Sequence, residues 1–347
     1  MTQIAGHRFG VGYPCFIVAE IGINHNGDME LAARMIQAAA DCGADSVKFQ
    51  NYRTEDFISD QSLMYSYISE GREVTEAQYD MFKRCELTPE NLRVLKEHAD
   101  DCGVVFHSTP TSEQGIQDLM AIGVPLLKNG SDYLVHLPLI RAMARTRLPT
   151  VVSTGMATLS EVDAAVRAYR EAGGRDLILL HCTSSYPTPP EDVNLRRIPA
   201  LAAVFGCPVG LSDHTWGTVA ATGAVALGAC WIEKHFTIDR SLPGPDQRFS
   251  SDPGEFTALV KAVREMEKCL GNSTVHPTVS EAAGRLAFRL SCVAARALPD
   301  GHVLGSEDIA FRRPGTGLPP AAVHWLVGHR LRKPVDGGHI LSPEDFG

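Results

Sequence analysis

The stretch WIEKHFT (residues 231–237) has aromatic and branched residues at both ends and three ionisable ones, Glu233, Lys234 and His235, in its middle. Side chains alternate across a strand, so in that conformation Glu233 and His235 share one face and Lys234 takes the other. It is the last of eight short runs of this kind. Upstream lie FIVAEIG (16–22), SVKFQ (46–50), VVFHSTP (104–110), LLKNGS (126–131), TVVSTGM (150–156), LILLHC (177–182) and VGLSDH (209–214). Between them run amphipathic stretches such as MELAARMIQAAADCG and TLSEVDAAVRAYREAGG, the second with Thr158 or Ser160 as its cap and Gly173 as its stop. Eight strands alternating with helices over about 250 residues predict an α/β protein of the (β/α)8 TIM-barrel class. The competing doubly wound sheet usually has fewer strands and a glycine-rich first turn, and IGINHNGD lacks the dinucleotide-binding pattern. With WIEKHFT as the eighth strand, the face carrying Glu233 and His235 is the barrel interior.

Composition narrows the function classes. The 347-residue chain is 44% hydrophobic and 21% charged, enough for a large core with room for a small second domain. Its net charge of -9 comes from 41 acidic against 32 basic residues with no basic run, which argues against nucleic acid or an anionic membrane as partner. CFIVAEIGI is too short to span a bilayer, contains Glu20 and lacks the flanks of a secretory signal, so a cytoplasmic protein is expected. Nine cysteines are scattered singly from Cys15 to Cys292 and read as reduced packing thiols.

Catalytic groups of such barrels sit at the C-terminal ends of the strands. Here every end is polar: Glu20; Lys48 with Gln50; Thr109; Lys128 with Ser131; Ser153; Ser184 with Tyr186; Asp213 with His214; Glu233 with His235. A single strand-end hydroxyl is usually a helix cap and a single histidine usually a packed or surface residue. Two lysines and several hydroxyls converging beside few carboxylates describe a pocket for a small dianion, such as a phosphate ester bearing a carboxylate. His214 and His235 end neighbouring strands, where two imidazoles could hold a divalent metal with positions open to substrate, or could be structural.

The motifs AEIGINHNGD, SVKFQ, STP, VVSTGMA, LHCTSSYPTPPEDVNLR, GLSDHT, GAVALGA and EKHFTID followed by PGPD span nearly the whole chain. They closely resemble the sialic acid (N-acetylneuraminate) synthase family, which condenses phosphoenolpyruvate with a 2-acetamido sugar to make nine-carbon sugar acids. The resemblance implies a barrel followed by a small antifreeze-like (SAF) domain, a divalent ion, usually Mn2+ or Mg2+, and a domain-swapped homodimer. It implies the metal on His214 and His235 and a proton-handling role for Glu20. Lys48, Thr109, Lys128, Ser131, Ser153, Ser184 and Ser212 match the phosphoenolpyruvate-binding segments. Gln50, Tyr186, Asp246 and, from the other subunit, Phe288 and Arg313 match positions that contact the amino sugar. Read locally, Asp246 is a turn residue after PGP, and Arg313 is a solvated neighbour of Arg312.

Domain limits follow at 1–271 for the barrel, 272–287 for a polar linker and 288–347 for the SAF domain, whose Pro-Asp-Gly and Asp-Gly-Gly turns break up short strands. Two departures from the family pattern stand out. Tyr133 occupies a place where many relatives carry an acid, with Asp132 one residue earlier, and Ser184 stands where some have Asn. The acceptor is left open among N-acetylmannosamine, a 2,4-diacetamido-trideoxyhexose (giving legionaminic or pseudaminic acid) and another aldose. The rival readings are another metal-dependent barrel lyase or hydrolase, which would bring more metal ligands, and a non-catalytic sugar-acid-binding homologue, which would have lost one of Glu20, His214 or His235.

Overall fold

The computed structural model describes residues 3–10 and 12–346. Two compact units divide the chain, Met1–Gly271 and Asn272–Gly347. Eight strands form one parallel sheet in the first unit: β1 (Phe16–Gly22), β2 (Ser46–Asn51), β3 (Val105–Pro110), β4 (Leu127–Asn129), β5 (Thr150–Ser153), β6 (Leu177–Cys182), β7 (Val209–Asp213) and β8 (Trp231–His235). Their order is β3-β2-β1-β8-β7-β6-β5-β4, with the two end strands side by side, so the sheet closes into a barrel.

The helices outside it follow from one-sided burial. Met29–Asp41 turns Leu31, Ala32, Met35, Ile36 and Ala39 inward and starts on Asp28, whose carboxylate accepts from two backbone N–H groups. Leu159–Glu171 starts on Thr158 in a capping box with Glu161, and Gly173 follows its end at φ 94°.

The barrel interior is layered. At its N-terminal end a short hairpin, Gln3–Ile4 with His7–Arg8, brings Ile4 and Phe9 against Phe16 and Trp231 as an apolar plug. Towards the other end the inward residues become polar, which is expensive unless each group finds a partner. Ser46 Oγ lies 2.8 Å from His107 Nδ1. Register then places Glu20 beside Lys48 on one side and His235 on the other, with Gln50 beside Thr109.

Some elements are shorter than their sequence patterns. The fourth strand keeps only Leu127–Asn129, because a 3-10 turn, Ser131–Tyr133, takes over and carries Ser131 off the sheet. A hairpin of Met64–Ser69 with Arg72–Ala77, which no sequence pattern announced, stands in the loop after β2.

The second unit holds a short helix, Ala282–Phe288, then two antiparallel strands, Ser291–Ala294 and Ile309–Arg312, around a core of Leu298, Leu304, Leu326, Leu331 and Leu341. It contains an internal repeat. GHVLGSED (301–308) and GHILSPED (338–345) each set a histidine against a buried aspartate six residues on, His302 on Asp308 at 2.7 Å and His339 on Asp345 at 3.1 Å. Corresponding residues of the two halves, Leu298 and Val335, hydrogen-bond to each other in both directions, as across a local two-fold.

Candidate active site

A cavity of about 410 Å³ opens at the C-terminal ends of the strands. Lys48, Gln50, Thr109, Lys128, Ser131 and Ser153 line one part of it, and Ser184, Tyr186, Ser212, His214 and His235 another. Four sequence-predicted residues stand elsewhere. Glu20 is buried just behind Lys48, and its Oε2 lies 2.8 Å from Lys48 Nζ. Asp246 lines an adjoining cavity, with Oδ2 3.7 Å from His235 Nδ1. Phe288 and Arg313 belong to the second unit, where both are exposed and the Arg313 guanidinium lies 5.2 Å over the Phe288 ring. Arg313 is the one of the two neighbouring arginines so stacked.

One end of the cavity is built on two buried ammonium groups. Lys48 Nζ is also 3.3 Å from Thr109 Oγ1 and 3.5 Å from Glu233 Oε1, and the same oxygen lies 3.6 Å from Lys128 Nζ. Ser131 donates to Ser153 at 2.9 Å and accepts from the Gly155 N–H at 3.0 Å, so the turn after β4 and the end of β5 fix the hydroxyl row between them. Glu20 reaches its place through a bulge at Gly22, which has φ 55°; a Cβ there would stand 3.0 Å from Glu20 Oε1.

The two carboxylates titrate apart. Burial, reinforced by the Glu233 charge, pushes Glu20 up to about 7 against the pull of Lys48. Glu233 is just as buried, but Lys128 and Lys48 outweigh that and hold it at about 2. Of these two carboxyls, Glu20 is therefore the one that exchanges a proton near neutrality. Burial lowers Lys128, whereas for Lys48 burial is overcome by Glu20 and Glu233 and its pKa rises.

At the other end the His214 and His235 rings are 5.4 Å apart, centroid to centroid, with the Tyr186 ring 4.1 Å from His214 and tilted 42° to it. His214 Nδ1 donates to the Thr183 carbonyl at 2.9 Å, and the ring also hydrogen-bonds the Cys182 thiol. His235 Nδ1 is buried without a hydrogen-bond partner, and burial together with the neighbouring charge of His214 keeps this ring neutral. The His235 ring, neutral and with an unpartnered buried nitrogen, fits a divalent ion, and His214, 5.4 Å away, would join it on giving up its proton. Among the described residues no group of three His, Cys, Asp or Glu side chains is placed to hold one alone, so the remaining ligands would have to be oxygens of substrate or water.

Sequence reasoning assigned no role to Glu233, although its shared face with His235 was the available signal, and it did not select Cys182. That thiol ends β6, lines the cavity and is drawn down to about 6, with hydrogen bonding and charge from His214 overcoming its burial. Asp213, by contrast, turns away from the cavity and pairs with Lys234 at 2.7 Å.

Fold and site together define a (β/α)8 barrel with two buried lysines and paired imidazoles at its mouth. Residues 35–275 match the NeuB family and residues 291–347 the SAF domain, and the chain belongs to the NeuB family. It is 40% identical to the N,N'-diacetyllegionaminic acid synthase of Legionella pneumophila, covering 96% of this chain and 94% of that protein. It is 34% identical to the human N-acetylneuraminate-9-phosphate synthase, covering 98% and 94%. The solved N-acetylneuraminic acid synthetase of Leptospira borgpetersenii superposes with a TM-score of 0.73 at 35% identity, over 82% of this chain and 95% of that one.

Proposed function

We infer that the protein condenses phosphoenolpyruvate with the open-chain aldehyde of an N-acylated amino sugar, giving a nine-carbon 2-keto-3-deoxy sugar acid and phosphate. The observation that carries this reading is the pairing, in one cavity, of two buried lysines with two neighbouring imidazoles. Lys48 and Lys128 neutralise the phosphate and carboxylate, and the hydroxyls of Ser131, Ser153, Ser184 and Ser212 with Thr109 orient them. The acceptor lies on the far side of the imidazoles against Gln50, Tyr186 and Asp246. His214 and His235 would hold a divalent ion, Mn2+ or Mg2+, which supplies Lewis-acid polarisation of the aldehyde oxygen.

C3 of phosphoenolpyruvate forms a bond to the aldehyde carbon, whose oxygen takes up a proton. Positive charge develops at C2, water adds there, and Glu20 accepts the proton that water loses. Collapse of the resulting carbon centre breaks its bond to the phosphate oxygen and leaves the ketone. Phe288 and Arg313 are assigned to the acceptor's acyl group in a site completed by the other subunit of a swapped homodimer. No described helix is long and apolar enough to cross a membrane, and a cytoplasmic location fits the substrates.

The test is to incubate the purified protein with phosphoenolpyruvate, Mn2+ and candidate amino sugars. Phosphate release should depend on the sugar and match, mole for mole, a product of the combined mass. Phosphate release without any sugar would replace this reading with a hydrolase.

A further inference from the structure

Another cavity, of about 480 Å³, lies at the opposite, N-terminal end of the barrel, where the helices Leu137–Arg145 and Leu159–Glu171 turn back into β5 and β6. Arg145, Arg147 and Arg175 line it beside one carboxylate, Asp176, and the rest of the wall is alanine and glycine. All three arginines are exposed, and among the described residues none of their side chains makes a hydrogen bond, an ion pair or a ring contact. Glu171, the other acid close by in sequence, is exposed and lies outside the lining.

Basic residues often gather at helix C-termini to meet the carbonyls there. Here those carbonyls are already occupied. Met143 and Ala144 accept from the N–H groups of Thr146 and Arg147, and Ala168, Tyr169 and Arg170 accept from those of Ala172, Gly174 and Gly173. Arg147 also breaks the pattern of its turn. Seven helices deliver the chain to β2 through β8, and six of them end on a glycine at positive φ: Gly43, Gly103, Gly123, Gly173, Gly206 and Gly228. In the seventh that place is taken by Arg147, at φ 62°, a left-handed backbone that a long side chain adopts at a cost. The exception falls where its guanidinium joins two others in one cavity, so the side chain and not the backbone accounts for the residue.

Three guanidinium charges against one carboxylate leave two positive charges unmatched, in a protein whose net charge is -9. They repel one another where they stand, and a dianion presented to their planar forks would relieve that repulsion and gain bidentate hydrogen bonds. The space is of the size that holds a small molecule. We propose that this cavity binds a small phosphate monoester, a sugar phosphate or a nucleoside monophosphate, at a site separate from the one at the other end of the barrel. A singly charged carboxylate would leave one positive charge without a partner.

The experiment is equilibrium dialysis of the full-length protein against glucose 6-phosphate and, in parallel, adenosine 5'-monophosphate, comparing wild type with Arg147→Gly, Arg175→Gln and Lys128→Met. The last variant controls for phosphate held between the lysines of the other cavity. At least one monoester should bind both wild type and Lys128→Met with a Kd below about 1 mM, and the tighter of the two identifies what carries the phosphate. Arg147→Gly and Arg175→Gln should each weaken that binding by roughly 10- to 100-fold, as for the loss of one charge-assisted contact. In phosphate-free buffer Arg147→Gly should melt no lower than wild type, because glycine suits that turn. Unchanged binding in both arginine variants, binding lost in Lys128→Met, no monoester bound at about 1 mM, or a lower melting temperature for Arg147→Gly would each overturn the proposal.

Discussion

Lys128 is 2% exposed, and the groups near its Nζ are Glu233 Oε1 at 3.6 Å and its neighbour's carbonyl at 3.3 Å. An ammonium so weakly paired in a buried place is stabilised by an incoming anion more than by its present surroundings. Replacing it in Lys128→Met removes a charge-assisted contact worth several kcal/mol, so the KM for phosphoenolpyruvate should rise or turnover fall by roughly a hundredfold. Steady-state kinetics at saturating sugar decide this, and unchanged constants would place Lys128 outside the site. Glu20 yields a pH prediction whose sign follows from its role. Its carboxyl sits at about 7, and the reaction needs the ionised form as base. kcat/KM should therefore decline by about tenfold per pH unit below that point, and Glu20→Gln should remove most of the rate together with that acidic limb. An unaltered pH profile in the Glu20→Gln variant would assign the titration to another group.

At the scale of the element, the strands place the charges and the loops shape the space between them. Gly155, in the loop after β5, shows how tightly that space is set: a Cβ there would come 2.7 Å from Ser131 Oγ and closer still to Ser184 Oγ. Gly155→Ala should therefore weaken phosphoenolpyruvate binding at least tenfold, read by calorimetry, because the Ser131 and Ser184 hydroxyls must give way to the added methyl. Equal affinity would mean the hydroxyls do not close on the anion. The same division between strand and loop explains what could be read beforehand. Alternation exposed the eight strands and their polar ends, because an inward polar residue at the end of an apolar run has few structural reasons to exist. It missed that Ser131 sits on a turn, since LLKNGS continues a strand pattern past the point where the backbone leaves the sheet. It missed the hairpin Met64–Ala77 because both faces of its strands are largely half-exposed or exposed, which leaves no one-sided apolar stripe to detect. Cys182 escaped because a cysteine at a strand end has the same pattern as a packing residue.

For the whole molecule, each site is proposed to draw on two chains: metal ligands from one barrel, Arg313 from the other subunit. His235→Ala and Arg313→Ala homodimers should then be nearly inactive, while a mixed dimer of differently tagged mutants regains activity, since one of its sites has both native residues. No recovery in the purified mixed dimer would confine Arg313 to its own chain. The local sequence RRPGTG could not have revealed this role, because an exposed arginine beside a turn has the pattern of any solvated side chain. The central claim concerns the bond that breaks. Phosphoenolpyruvate labelled with oxygen-18 at the bridging position, turned over with the preferred sugar, should yield phosphate that retains the label and an unlabelled nine-carbon acid, because water attacks carbon 2 and the carbon–oxygen bond is cleaved. Label retained in the organic product, with unlabelled phosphate, would mean attack at phosphorus and would contradict the account.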